Sequence, residues 1–208
     1  MIDQLALSIN NLQNLEGSAS GVVNNSATNL IDLARQGDQA AFGLLFERHG
    51  RLVLSFLFNH VGRRDLAEEL TQETFVRAHR SLPEFREQAK FSTWLLGIAK
   101  NVAREWSRSK EGTNLRRSIE IDPGSNLTSP SSPADDLLGK ELNLILEAAL
   151  QTLDEGRREV FVLKVFQQRT YQEIVDITGF SLAKVKIELH RARAEMRRHM
   201  QPYLGDVD

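Results

Sequence analysis

Apolar residues recur along most of this chain at steps of three, four and seven, the spacing of one helical face. The β-branched residues do not gather in alternating runs. Helical pattern begins at Leu30. Asp38 stands as N-cap to a long helix with the stripe Phe42, Leu45, Phe46, Val53, Phe56 and Leu57, and Gly62 ends it. A second helix is predicted over 65–81, where Pro83 breaks the pattern. After a short loop, Glu84 to Lys90, a third runs from Ser92 to about Ser109 on the stripe Trp94, Leu95, Ile98, Ala99, Val102 and Trp106. Periodicity resumes over 135–153, 154–167, 170–178 and 181–200.

The segments between these runs set the organisation. Residues 1–28 are rich in Asn, Ser and Gly, and Ile2, Leu5, Ile9, Leu12 and Leu15 suffice for only a turn or two; the segment reads as a disordered tail. Residues 111–134 carry Gly112, Pro123-Gly124-Ser125-Asn126 and Ser129-Pro130-Ser131-Ser132-Pro133, the make-up of a flexible linker. The expected fold is therefore all-α: a helical domain over 29–110, the linker 111–134, a second helical domain over 135–201, and a short tail 202–208.

The sharpest local grammar lies at 170–196. Thr170-Tyr171-Gln172-Glu173 spells a capping box, in which hydroxyl and carboxylate satisfy each other's backbone N–H groups. Ile174 and Ile177 face inward, Gly179 permits a left-handed turn, and Ser181 caps a longer helix with Leu182, Val185, Leu189, Ala192 and Met196 on its inner face. A short capped helix, a glycine turn and a longer helix make a helix-turn-helix. The longer helix carries Lys186, His190, Arg193 and Arg197 as a stripe, flanked by Arg191 and Arg198. Like charges at such spacing cost an isolated helix ~0.2–0.5 kcal/mol per pair, so the stripe points to an anionic partner; a solvated face balanced by Glu188 and Glu195 is the plain alternative.

The first domain offers two contrasting faces. The third helix sets Lys100, Arg104 and Arg108 at steps of four, with Asn101 beside them and aromatics at the helix start. That combination suits nucleic acid, since extruded bases stack on aromatics while cations track the backbone. Trp94 and Trp106 also serve simply as core. The second helix instead gathers Asp65, Glu68, Glu69, Gln72 and Glu73, a surface for a basic protein partner or an ordinary solvated face. No His or further carboxylate stands at ligand spacing, so metal binding and acid–base catalysis find no support.

Composition adds limits. With a formal net charge of −2, bulk charge makes no case for nucleic acid, so any such case rests on the local stripes. The chain has no cysteine, which excludes disulfides, zinc fingers and thiol nucleophiles together. Apolar runs break well before the ~18 residues of a membrane span, and Asp3 without a basic n-region argues against a secretory signal. The expectation is a soluble, cytoplasmic protein without membrane insertion.

These motifs resemble a known family. The stretch 153–198 is similar to the fourth conserved region of sigma-70-family factors of the extracytoplasmic-function (ECF) group. The matching residues are Leu153, Arg158-Glu159-Val160, Tyr171-Gln172-Glu173-Ile174, Gly179, Val185-Lys186 and Leu189-His190-Arg191-Ala192-Arg193. Output domains of LuxR-type regulators share much of it. The first domain resembles the same family more specifically: Gly37-Asp38-Gln39-Ala40-Ala41-Phe42, the run from Asp65 to Ala78, Phe85-Arg86, Phe91-Ser92-Thr93-Trp94-Leu95 and Ile98-Ala99-Lys100-Asn101.

The resemblance implies an alternative sigma factor, not an enzyme, needing no cofactor or metal. It would bind core RNA polymerase at the β′ clamp through Asp65, Glu68, Glu69, Gln72 and Glu73, and at the β flap through its second domain. It would read and help melt the −10 element through Phe85, Arg86, Trp94, Lys100, Asn101 and Arg104. It would read the −35 element through Thr170, Tyr171, Lys184, Lys186, Ile187, His190, Arg191 and Arg193. The resemblance also implies a possible anti-sigma factor as partner, clamping apolar seams between the domains. The competing readings are a helix-turn-helix regulator that does not contact the polymerase core, a small nuclease, and a helical scaffold. Two departures stand out. Phe85-Arg86-Glu87 replaces the family's frequent Phe-Arg-Gly, predicting a different loop shape. Lys184, Ile187 and Glu188 replace common Thr, Ser and Arg; Glu188 either accepts from cytosine N4 or pairs with Lys184 or Arg191, and pairing is favoured.

Overall fold

The computed structural model describes residues 24–109 and 133–204; the bulk of the expected linker lies outside them. Among the described residues all regular structure is helical. The first domain comprises α1 (Asn24–Arg35), α2 (Gln39–Val61), α3 (Arg64–Ser81), a single 3₁₀ turn (Leu82–Glu84) and α4 (Phe91–Arg108). The second comprises α5 (Pro133–Thr152), α6 (Glu155–Phe161) with a π-helical continuation (Val162–Phe166), α7 (Tyr171–Thr178) and α8 (Leu182–Leu204).

Local signals set most boundaries. The Asp38 carboxylate accepts the N–H groups of Ala40 and Ala41 at 2.9 and 3.1 Å, meeting two of the orphan donors that open α2. Gly62 closes α2 at φ 73°, a conformation glycine reaches without a Cβ penalty. Other boundaries move. α1 starts at Asn24, inside the segment read as a tail, because Ile31 and Ala34 bury against the first-domain core and draw the helix with them. α8 runs through Pro202 to Leu204, past the expected end at 200, with Met200 buried beneath it. Phe46, placed on the α2 inner stripe, is 43% exposed; its ring instead lies edge-on to Phe75, 4.6 Å between centroids.

The π turn also departs from expectation. Gln167 N–H donates to Val162 O at 3.0 Å, and the widened turn lets Phe161, Val162, Leu163, Val165 and Phe166 all enter the core. Burial of that density comes at a junction. The two domains share one continuous core, α2 meeting α5 and the π turn, and α4 lying on α7. Arg158, buried, stitches three elements: it donates to His60 O at 2.7 Å, Gln151 Oε1 at 2.8 Å, and the carbonyls of Gln151 and Leu153 at 3.0 Å each. The apolar seams expected to await an inhibitor are thus packed on each other here.

Candidate nucleic-acid and partner interfaces

The helix-turn-helix forms as its residues demand. Thr170 Oγ1 accepts from Glu173 N–H at 3.2 Å, and Glu173 Oε2 accepts from Thr170 N–H at 2.9 Å. Burial pushes the Glu173 carboxyl up, but the bonds from Thr170 and the nearby Lys90 ammonium outweigh it and hold the group down at about 2. Gly179 sits at φ 72° and returns its N–H to Val175 O at 2.8 Å; Ser181 Oγ accepts from Lys184 N–H at 3.2 Å. Thr170→Ala is expected to cost about 1 kcal/mol of stability, visible as a lower thermal midpoint.

α8 buries Val185, Leu189, Ala192 and Met196 and turns Lys184, Lys186, Ile187, His190 and Arg191 to solvent, with Arg193 half-buried beside them. Thr170 and Tyr171 are exposed on the same side of the motif. The Tyr171 ring lies between two ammonium groups, Lys164 Nζ at 4.8 Å and Lys186 Nζ at 6.0 Å from its centroid, so Lys164 adds a cation to this face. Glu188 is paired, as favoured, but chiefly across the fold: Arg157 Nε lies at 3.3 Å and Arg191 Nη1 at 3.8 Å, while Lys184 Nζ sits over the Phe180 ring instead. Arg157 also reaches Glu195 at 2.8 Å, fastening α6 to the outer helix at two points. Neither Lys164 nor Arg157 carried a signal in the sequence, since only the packing of α6 on α7 and α8 brings them to this surface.

On α3, Asp65, Glu68, Glu69 and Gln72 are exposed and Glu73 half-buried. Their repulsion is largely relieved by neighbours: Arg63 bonds Asp65, Arg64 Nε bonds Glu68 at 2.9 Å, and Arg77 joins Glu73 at 2.7 Å to Glu105 of α4 at 2.6 Å. The face is therefore a mixed rim in which Glu69 and Gln72 stand outermost.

The expected −10 residues divide. Trp94, half-buried, packs its ring 4.9 Å from Phe85 and 5.4 Å from Phe91, and Phe85 itself is buried. Arg86 and Asn101 are exposed. Lys100 is not at the surface in this arrangement: it is 8% exposed, and burial followed by the Arg104 charge depresses its ammonium despite the opposing pull of Glu159. Arg104 meets Glu155 of the second domain at 3.5 Å. Glu159 is wholly buried, neither carboxylate oxygen hydrogen-bonded; burial pushes it up to about 7 against the pull of Lys100 and Arg104. A cleft of about 530 Å³ opens between the domains, with Arg86, Trp94 and Asn101 on one wall and Asp176 and Gly179 on the other. Lys90 reaches Glu173 across its edge at 3.2 Å, and Arg169 reaches Ser92 at 3.1 Å. Among the described residues, no cluster of three His, Asp or Glu side chains suits a metal ion, and no helix is long and apolar enough to cross a membrane.

Comparison with known proteins gives the family. Family models match twice: sigma-70 region 2 over residues 45–113, and sigma-70 region 4 over 143–196. The chain is 31% identical over 156 residues to the RNA polymerase sigma factor YlaC of Bacillus subtilis, covering 75% of this chain and 90% of that one. It is 28% identical over 181 residues to the ECF RNA polymerase sigma-E factor of Haemophilus influenzae, covering 84% and 95%. Among solved structures it is similar to CnrH, in complex with the cytosolic domain of CnrY, at 26% identity and a TM-score of 0.60, covering 83% of this chain and 96% of that one. With both regions present, in order, over most of the described structure, the chain belongs to the sigma-70 family of RNA polymerase sigma factors, in its extracytoplasmic-function group.

Proposed function

We propose that this alternative sigma factor grips the β′ clamp of core polymerase through the α3 rim and seats its second domain on the β flap. The observation that carries the reading is the pairing, in one chain, of a region 2 module bearing that rim with a region 4 helix-turn-helix bearing a cationic face. In this reading α8 enters the major groove of the −35 element with Lys184, Lys186, Ile187, His190 and Arg191 toward base edges. Thr170, Tyr171 and Arg193 fix its register against the backbone. At the −10 element the loop 84–90 captures a base flipped from the non-template strand beside Phe85, Arg86 and Trp94, while Lys100, Asn101 and Arg104 hold adjacent DNA. Bond making belongs to the polymerase. An anti-sigma factor is a further partner in this reading, in keeping with the family and with a relative solved holding a second chain.

The reading requires the domains to part. The −10 and −35 elements are separate sites along one duplex, which rises about 3.4 Å per base pair. In the described arrangement α4, which carries the expected −10 residues, packs on α7 of the helix-turn-helix, and Lys100 is buried there. A double variant, Glu69→Lys with Glu73→Lys, is expected to lose core-polymerase binding while keeping its helical content. Affinity for core equal to that of the wild type would sink the reading. Run-off transcription with core polymerase over a genomic promoter library would then identify the promoters served.

A further inference from the structure

The departure at Glu87 carries an inference that rests on the reading above. Glu87 adopts φ 56°, the left-handed region that glycine enters freely and other residues enter at a penalty. A residue with a Cβ takes the left-handed conformation here, so a contact must hold it there. The structure supplies the holder on a different element. Arg35, in the last turn of α1, donates from Nη2 to Phe85 O at 2.6 Å and to Glu87 Oε1 at 3.3 Å, while Nη1 lies 3.1 Å from Asp32 Oδ1. The guanidinium thus grips the residues on both sides of Arg86, which stands exposed on the wall of the cleft. An exposed ion pair alone would contribute little. Here the same group also satisfies a backbone carbonyl, and Asp32 sets its orientation, so three acceptors converge on one planar donor.

We propose that Arg35 is a positioning residue for the base-capturing loop, holding Glu87 in a glycine-like conformation so that Arg86 faces the extruded base. In this chain a guanidinium from α1 does what glycine does by its own freedom. Loop geometry is then tied to the docking of α1, an element that lies outside the matched region 2.

The test uses holoenzyme reconstituted from core polymerase and the full chain, on a promoter recovered by the run-off screen. Arg35→Met keeps the aliphatic stem and removes the donors. It is expected to lower open-complex formation, read by 2-aminopurine fluorescence at the flipped position, about tenfold, with core affinity unchanged; that is the population ratio a left-handed residue forfeits without its anchor. R35M/E87G should recover most of what R35M loses, because glycine holds φ 56° unaided. In the free chain, hydrogen exchange over 85–90 should quicken in R35M. Open-complex formation by R35M equal to wild type, a double variant no better than R35M, or unchanged exchange would each overturn the proposal. If the wild-type holoenzyme yields no transcript from any promoter, the functional reading fails, while the exchange measurement still decides whether Arg35 holds the loop.

Discussion

A chain tethered shut is expected to lose promoter-directed transcription by at least about a hundredfold and to regain it when the tether is cut. The natural sequence lacks cysteine, so cysteines placed at Lys90 and Glu173, whose side chains meet at 3.2 Å, can be joined by a cleavable bis-maleimide with no competing thiol. The tether keeps α4 beside α7, whereas simultaneous −10 and −35 recognition needs the two domains on separate stretches of duplex. The tethered form also keeps Lys100 and Arg104 against the second domain, away from phosphate. Comparing one preparation before and after cleavage cancels the cost of losing the Glu173 cap. Full transcription by the tethered chain would mean that the closed arrangement is compatible with initiation. The spacing argument would then be wrong.

The second large effect concerns pH. Glu159 is buried without a hydrogen-bond partner, and its carboxyl is raised from 4.5 to about 7. A raised folded-state value means the native chain binds the proton more tightly than the unfolded one. The associated stability is therefore full below about pH 4.5 and lost as pH rises through 7. Glu159→Gln removes the titration. Urea unfolding of the variant should not show the share of the decline that Glu159 contributes across that window, and at pH 8 the variant should be the more stable by about 2–3 kcal/mol. A variant less stable than wild type at pH 8 would show that attraction from Lys100, Arg104 and Lys184 outweighs the burial of charge. The contrast with Glu173 is instructive: one carboxyl is driven up, the other held at about 2, because only Glu173 has donors that replace the water it loses.

Much of this molecule is legible in its residues because the deciding interactions are short-range. Asp38, Gly62, Thr170 with Glu173, and Gly179 act within a turn of where they stand, and the structure finds each in the role its chemistry suggests. Ser181 does the same for the recognition helix. The cationic face of α8 follows directly from the 3.6-residue period once Val185 and Leu189 are known to be inside. Where periodicity misled, the cause was a long-range neighbour. Phe46 has helical spacing for the core but meets Phe75 near the surface, and α1 extends back to Asn24 because its inner residues find a surface to cover.

By itself, then, the sequence determined the all-α class, most helix ends, the two modules and the faces of α3, α4 and α8, since caps, turns and amphipathic periods are encoded in residues a few positions apart. Only the tertiary structure decided what those faces meet: that Arg157 claims Glu188, that Lys100 and Arg104 lie under the second domain, and that Arg35 holds Glu87 in a turn better suited to glycine. Such pairings span 31 to 52 residues of chain, and no local period or propensity records which distant group will supply the missing donor.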